Sequence, residues 1–296
     1  MDKFEIYQKY FRERILPILY PMEQYRLKTV RKVVLTSLLM FLAGLFFAGV
    51  FFYIANKNSL MLLLLPVFLF LMYFFFIKSI INVMWTGKQY QKWLVEKILP
   101  HFFEPVANFK FWTESPDTAT ILDSKLFGNF DTHENNASIF GIYNNTNIIV
   151  SNTELKIPVN KIVFKGTTIQ LELPKSINNH VIFISKNLHK FNRYKQINPH
   201  LNELNKYLYV FAKDPEKADF INDELWQILE RLGKLYTAKG FGLSIYNDVA
   251  LIALKQKYPW QFGFLFKSLL KTKNYDELIN RFVVIYDFID FLGNMV

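Results

Sequence analysis

The sequence predicts a membrane α-hairpin followed by a soluble α+β domain with a mainly antiparallel sheet. Two long apolar runs without any charged residue, residues 33–55 and 59–77, follow one another closely. From about residue 109 the chain changes to short runs rich in Ile, Val, Phe and Thr, which turn residues separate. Helical patterns then alternate with further short runs towards the C-terminus. Helices and strands in such succession are typical of an α+β domain.

Each apolar run is long enough to cross a bilayer as a helix. A spanning helix needs about 20 apolar residues, and the two runs have 23 and 19. Helices of this length in a soluble core are the alternative, but they show a polar face, which both runs lack. A cleaved signal peptide is disfavoured because its apolar core is about 7–15 residues long. We therefore predict a two-helix transmembrane hairpin in residues 33–85.

Basic residues are concentrated on both sides of the predicted hairpin. Residues 1–32 contain eight Lys and Arg, residues 78–97 contain four, and the loop between the spans contains only Lys57. Because basic residues close to spans tend to stay in the cytoplasm, we predict that both termini are cytoplasmic. The predicted localisation is a bacterial inner (cytoplasmic) membrane, crossed twice.

Residues 1–32 are predicted to be an amphipathic cytoplasmic arm. Apolar residues recur at three- and four-residue steps with basic residues among them, which predicts a helix over residues 3–20. Pro17 and Pro21 are expected to end or bend it. Two interpretations stay open: the helix lies on the inner leaflet, or it packs on the soluble domain. The apolar residues are Phe4, Tyr7, Phe11, Ile15 and Leu19.

The remaining chain is predicted to form a juxtamembrane helix, residues 86–105, and a cytoplasmic α+β domain, residues 106–296. Asp214-Pro215-Glu216 is expected to open a helix that runs to about residue 235, and residues 274–292 a last helix. Asn247-Asp248 predicts a hairpin turn. The predicted strands are residues 138–143, 147–157, 161–173, 180–185, 207–212, 242–246 and 249–255.

Three short motifs accompany this layout: Glu23-x-x-Arg26 before the first span, Phe164-Lys165-Gly166 in the predicted sheet, and residues 209–214. With them, nearly the whole chain resembles a family of uncharacterised bacterial membrane proteins that is defined only by a domain of unknown function. Some members are encoded beside LemA-like proteins. The resemblance implies an arm, a two-helix hairpin, a juxtamembrane helix and a cytosolic α+β domain. It implies no activity and no catalytic residues.

Composition excludes several kinds of site. The chain has no cysteine, so disulfides, thiolate metal sites and cysteine catalysis are impossible. The net charge is +10, but residues 86–296 are only mildly basic, with 25 basic and 21 acidic residues, which argues against nucleic-acid binding. The patterns of phosphate-cradling loops and of G-x-S-x-G nucleophiles are missing.

The densest cluster of acid–base groups is Asp131, His133 and Glu134. A histidine beside two carboxylates can bind a divalent ion or move protons. The segment 129–136 is polar, however, and a solvated loop is the favoured interpretation. The other histidines, His101, His180, His189 and His200, follow no ligand spacing. We therefore predict no catalytic residue, no metal site and no cofactor.

Two basic segments, residues 186–206 and 255–273, are the candidate interaction surfaces. The second holds five lysines, no acidic residue and many aromatic residues. In a tethered domain it could meet anionic lipid headgroups or a partner protein, and the alternative is that the aromatic residues belong to the core. The candidate surface residues are Lys255, Lys257, Trp260, Lys267, Lys271 and Lys273.

The sequence therefore predicts an integral inner-membrane protein that acts by binding, as a scaffold or a membrane-associated module. The expected partners are the lipid bilayer and a membrane protein of unknown identity. A membrane-anchored hydrolase with an unrecognised site, and an accessory subunit of a transporter, are the alternatives. Two spans without an intramembrane charge disfavour an ion path within one chain.

Overall fold

The computed structural model describes residues 3–57, 65–98, 101, 110–112, 118–185, 188, 194–197, 208–218, 220–235, 240–256, 265–271 and 273–295. The chain divides into two compact units. The helical unit contains Leu16–Val95 and Phe262–Thr272. The sheet unit contains Met1–Ile15, Glu96–Gln261 and Lys273–Val296.

Two long antiparallel helices dominate the helical unit. α1 (Lys3–Tyr10) and a π-helical turn (Phe11–Ile15) lead into α2 (Leu16–Lys57), and α3 spans Leu65–Ile98. The ring of Tyr25 lies 5.0 Å from that of Trp93, so the beginning of α2 faces the end of α3. Further along α2, Gly44 lines a cavity of about 440 Å³ together with Tyr73, near the beginning of α3. This order of contacts shows that the helices run in opposite directions.

One described helix, Lys3–Ile54, is long and apolar enough to cross a membrane by length and composition. Only 11% of its most apolar window is buried. This agrees with the first predicted span. The second predicted span, and with it the two-span hairpin, stays a prediction.

Of the two expected effects of Pro17 and Pro21, the helix ending is wrong, because the helical segment continues past both residues; the bend stays a prediction. Pro17 is the second residue of α2 and follows the π-helical turn. Pro21 lies inside α2, where it removes a single backbone hydrogen bond from a helix of 42 residues.

The seven described strands form one antiparallel sheet in the order β1-β2-β3-β4-β6-β5, with β7 also paired to β4. Most of the predicted strands are present, and several are longer than predicted. The strands are β1 (Lys110–Trp112), β2 (Thr132–Tyr143), β3 (Thr146–Ile157), β4 (Lys161–Ser185), β5 (Lys195–Ile197), β6 (Leu208–Ala212) and β7 (Gly240–Lys255).

The predicted hairpin at Asn247-Asp248 is wrong, because β7 runs through these residues without reversing. β4 is likewise one strand of 25 residues rather than two. The two strands pair along most of their length, and their register shifts on both sides of the pair Ile177 and Asn247. Asn247 has a φ of 49°. The turn-forming residues therefore accommodate irregular pairing of two long strands rather than reversing one of them.

Besides α1, the described residues of the sheet unit form the helices α4 (Thr118–Asp123), α5 (Asp223–Leu235) and α6 (Lys273–Met295). The helix predicted to open at Asp214 begins later. The Asp214 carboxylate accepts a hydrogen bond from the N–H of Glu216 (3.3 Å), but it caps only a 3₁₀ turn, Pro215–Lys217. α5 has its own cap, since the side-chain oxygen of Asn222 accepts from the N–H of Leu225 (2.9 Å).

α1 packs on α6, which is the second of the two interpretations of the arm. The hydroxyls of Tyr7 and Tyr286 lie 2.8 Å apart. Lys3 Nζ donates to Asp287 (2.9 Å) and to Asp290 (2.5 Å). Burial lowers the pKa of Lys3, but its hydrogen bonds to both aspartates outweigh burial, and the pKa is raised. The two ends of the chain are therefore joined within the sheet unit.

The sheet unit is built around β4, which is buried on both faces in its second half. Ile182 and Ile184 belong to a core cluster on one face, and Val181 and Phe183, which alternate with them, are fully buried as well. This core closes around the residues that follow α4. Its other members are Ile121, Leu126, Leu155, Phe164, Phe211, Leu251 and Ala253.

Candidate functional site

The helical unit contains a buried ion pair shortly before the apolar part of α2. Glu23 and Arg26 are 7% and 6% exposed. Arg26 donates to both carboxylate oxygens of Glu23, from Nε and from Nη2, each at 2.8 Å. These hydrogen bonds hold the pKa of Glu23 below and that of Arg26 above their ordinary values. The pair is therefore ionised across the physiological pH range.

This ion pair fixes the backbone of residues 265–271, which we call the docked segment. Arg26 Nη1 donates to the carbonyl oxygen of Leu265 (2.8 Å). The N–H of Leu269 donates to Glu23 Oε2 (2.9 Å). Leu265 and Leu269 are 5% and 1% exposed. The docked segment is thus held on α2 by charge-assisted hydrogen bonds and by two buried leucines.

The outer side of the docked segment is basic and aromatic. Phe266 is 59% exposed, and Lys267 and Lys271 are exposed as well. Ammonium groups beside an exposed ring match the boundary between lipid headgroups and hydrocarbon. Arg26 precedes the first apolar run by seven residues, which is about 10 Å along a helix. The docked segment therefore lies near the N-terminal end of the apolar stretch of α2.

The structure brings only part of the predicted surface together. Lys267 and Lys271 share the docked segment in the helical unit, whereas Lys255 ends β7, half-buried, in the sheet unit. Lys273 opens α6. Lys257 and Trp260 lie outside the described residues.

A second candidate site is a polar pocket of about 700 Å³ in the sheet unit. It lies at the irregular part of the β4–β7 pairing, between the end of α4 and the loop that follows β6. Four segments of the chain contribute charged or amide side chains to its walls. The residues that line it are Asp123, Lys125, Asn178, Asn179, His180, Tyr194, Lys213, Asp214, Lys217, Tyr246 and Asn247.

His180 lies at the base of this polar pocket and is 8% exposed. Its Nε2 is 2.8 Å from Ser244 Oγ and its Nδ1 is 3.0 Å from the hydroxyl of Tyr194. The pKa of His180 is lowered to about 4, mainly by burial and in part by the charges of Lys125 and Lys213, while the Ser124 backbone and Asp123 oppose the shift. The imidazole is therefore neutral at pH 7.

The geometry around His180 suits binding better than hydrolysis. A serine nucleophile needs an accessible hydroxyl, and its histidine is usually oriented by a carboxylate. Ser244 is fully buried, and both ring nitrogens of His180 already face hydroxyl groups. Residues that hold a fixed, neutral donor–acceptor pair in a polar cavity can bind a polar ligand without reacting with it.

Along the sequence His180 follows no ligand spacing, so no local pattern marks it as a site residue. Its partners, Tyr194 and Ser244, are 14 and 64 residues away along the chain. The irregular β4–β7 pairing brings these residues together, whereas the sequence predicts separate strands in this region. The one sequence feature that points to this pocket is the pair of turn residues Asn178-Asn179 beside His180.

Asp131, His133 and Glu134 do not form a joint site. The expected loop is wrong, because His133 and Glu134 lie on β2, where successive side chains point to opposite faces. His133 Nδ1 is 3.1 Å from the hydroxyl of Thr118. The Glu134 carboxylate instead accepts hydrogen bonds from Lys156 Nζ, at 2.8 Å to each oxygen. In the part of the chain that the structure describes, no group of three or more His, Asp or Glu side chains could hold a metal ion.

Comparison with known proteins finds a weak structural similarity to one solved structure. No protein-family model matches the sequence, and no curated protein matches it. The crystal structure of the mycobacterial trehalose monomycolate transport factor A, TtfA, is 14% identical over 62% of this chain and 86% of that chain, with a TM-score of 0.38. At this score no functional argument passes from that protein to this chain.

Proposed function

We propose that the chain is an integral membrane protein whose helices α2 and α3 form a two-span hairpin in a bacterial inner membrane. Its sheet unit acts in the cytoplasm by binding, as a scaffold or a membrane-associated module. Both termini are cytoplasmic in this proposal, because Lys and Arg flank the hairpin and are nearly absent from its loop. The resemblance to uncharacterised bacterial membrane proteins agrees with this layout.

The observation that carries the proposal is the exposed apolar surface of both helices. Soluble proteins rarely expose contiguous apolar patches beyond a few hundred Å², and lipid is the solvent that suits such a surface. On α2, Leu39 and Phe46 are 57% and 68% exposed. On α3, Phe70 and Phe76 are 67% and 62% exposed. This second set supports a span in α3 as well.

The docked segment supports a position at the inner leaflet. Its lysines, Lys267 and Lys271, are exposed in the same helical unit as Lys28, Arg31 and Lys32, which come just before the apolar stretch of α2. Each basic group near an anionic membrane surface contributes about 1 kcal/mol of attraction. We therefore place anionic lipid headgroups among the partners, with a membrane protein of unknown identity.

The structure gives less support to the two alternative functions, a membrane-anchored hydrolase and an accessory subunit of a transporter. For a membrane-anchored hydrolase, the described residues offer the pair Ser244 and His180, and its serine is fully buried. An accessory subunit of a transporter remains compatible with a binding role, because such a subunit also acts through contacts. The proposal therefore stays with binding.

The test is the depth of nitroxide labels in a bilayer, measured by collision with oxygen and with a nickel chelate. The chain has no native cysteine, so single cysteines can be placed at Phe46, Phe70, Phe266 and Val159. Val159 is 98% exposed in the sheet unit and serves as the control in water.

Labels at positions 46 and 70 should collide with oxygen and exclude nickel, whereas position 159 should show the reverse. Position 266 should be shielded from nickel in bilayers with anionic lipid and less so in neutral ones. Free access of nickel to position 70 would show that α3 does not span. Equal access to position 266 in both bilayers would remove the anionic headgroups from the proposal.

A further inference from the structure

The polar pocket has a built frame that holds two chain segments, β4 and the loop after β6, against each other. The Asn179 amide nitrogen donates to the carbonyl oxygens of Asp214 (2.8 Å) and Lys217 (3.0 Å). Its side-chain oxygen accepts from the N–H groups of His180 (2.8 Å) and Asp214 (3.0 Å). The N–H of Lys213 donates to the carbonyl of His180 (2.9 Å). The loop after β6 is therefore fixed against β4, and the cavity between them is pre-formed.

Two lysines of this pocket have no counter-ion within the described part of the chain. Lys217 pairs with Asp214 at 3.2 Å, but no ion pair forms at Lys125 or Lys213 among the described residues. The fields of both lysines reach His180. Asp123 is the carboxylate on the same wall and offsets part of this charge. With the Lys217–Asp214 pair neutral overall, the pocket keeps a net positive charge.

The rest of the wall offers flat rings and uncharged polar groups. The rings of Tyr194 and Tyr246 both lie 5.1 Å from the neutral imidazole of His180, centroid to centroid. Tyr246 is held in place by its hydroxyl, which donates to the carbonyl of Thr120 (3.0 Å). Such a wall suits the polar body of a small molecule and not an extended apolar chain.

We propose that this pocket binds a small molecule through a phosphate group, with Lys125 and Lys213 neutralising the phosphate and the Tyr194–His180–Tyr246 wall contacting the rest. A phosphomonoester carries close to two negative charges at pH 7, which matches Lys125 and Lys213, two lysines that form no ion pair among the described residues. Lysine binds phosphate as a point charge and needs no planar fork. A soluble phosphomonoester and a lipid headgroup share this chemistry.

The test uses the full chain in nanodiscs of neutral lipid, titrated with glycerol 3-phosphate by calorimetry at constant ionic strength. Glycerol is the uncharged comparison. Saturable binding of glycerol 3-phosphate, without binding of glycerol, is expected. The variants Lys125→Gln and Lys213→Gln should each weaken binding about tenfold, the equivalent of about 1.4 kcal/mol per lost charge contact. Lys161→Gln, an exposed lysine that does not line the pocket, should leave it unchanged.

The thermal unfolding of each variant without ligand is first compared with that of the wild type. A variant that unfolds like the wild type and binds more weakly has lost a ligand contact and not its fold. Nanodiscs that contain phosphatidic acid then identify the source of the phosphate. Competition with glycerol 3-phosphate in the wild type, and not in the double variant, assigns a lipid headgroup; unchanged binding assigns a soluble ligand. Absence of saturable binding, or equal weakening by Lys161→Gln, would overturn the proposal.

Discussion

At the scale of single residues, Arg26 makes three hydrogen bonds at a position that is 6% exposed. Replacing it with Ala leaves the Glu23 carboxylate buried without its partner and frees the carbonyl of Leu265. Removing one member of a buried pair costs about 3 kcal/mol or more. Arg26→Ala should therefore release the docked segment and lower the thermal stability of the chain in mild detergent.

Trypsin measures the release directly, because it cleaves after Lys267 and Lys271. Arg26→Ala should be cleaved there well before the wild type. Arg31→Ala, an exposed residue of the same helix, should resist like the wild type. If Arg26→Ala also resists, the ion pair does not hold the segment.

His180 predicts a pH dependence of stability with a definite sign. Burial lowers its pKa to about 4 in the folded chain, from about 6.5 when unfolded. Between these values the unfolded chain binds more protons, so the free energy of unfolding falls as the pH falls from 6.5 towards 4. The charges that face His180 belong to Asp123, Lys125 and Lys213, and Tyr194 and Tyr246 cover its ring.

The comparison is between the wild type and His180→Gln, unfolded with denaturant at pH 7 and pH 5. The wild type should lose more stability than the variant over this interval, because glutamine does not titrate. Carboxylates contribute equally to both proteins and cancel in the difference. Parallel losses would show that His180 is not held neutral by the fold.

Some important residues could be recognised in the sequence, but the contacts that they make could not. Glu23-x-x-Arg26 was visible as a motif, but its hydrogen bonds to Leu265 and Leu269 join residues more than 200 positions apart. His180 could not be recognised because Tyr194 and Ser244 reach it only through the fold. Side chains that meet through tertiary structure leave no local spacing to detect.

At the scale of elements, β4 comes close to the backbone of β7 at Gly166. A Cβ at this position would lie 2.0 Å from the carbonyl oxygen of Leu254, which is backbone and cannot turn away. Gly166→Ala should therefore push β7 outwards and destabilise the sheet unit by roughly 1–3 kcal/mol. Thermal unfolding of the full chain measures the loss.

Gly233→Ala is the matched control for this change. Gly233 lies in α5, and an added Cβ meets nothing within 4 Å. Alanine in a helix is favoured over glycine by about 0.5–1 kcal/mol, so this variant should be slightly more stable than the wild type. Equal stability of Gly166→Ala and the wild type would contradict the observed β4–β7 approach.

The strands near Asn144-Asn145 and the helices α5 and α6 followed from local patterns, because turn residues and apolar faces are encoded over a few positions. The β4–β7 pairing did not follow. Asn178-Asn179 and Asn247-Asp248 have the composition of chain reversals, but each lies in an irregular part of a strand that continues. Only the long-range register between β4 and β7 separates these two outcomes.

At the scale of the whole molecule, the sequence indicated a membrane part and a soluble α+β part but not how the chain is shared between them. α1 joins the sheet unit through its contacts with α6, and residues 262–272 join the helical unit. Both segments join their unit through contacts with residues that are distant in sequence. The two units are therefore interleaved along the chain.

The central claim is a two-span hairpin with the sheet unit and both termini in the cytoplasm, and a cysteine map of the topology tests it most directly. Single cysteines at Asn58, Asn145 and Asn294 place one site in the predicted outer loop, one in the sheet unit and one at the C-terminal end of α6. An impermeant thiol reagent added to intact cells should label position 58 alone, and permeabilised cells should label all three. Labelling of position 145 or 294 in intact cells would contradict the account.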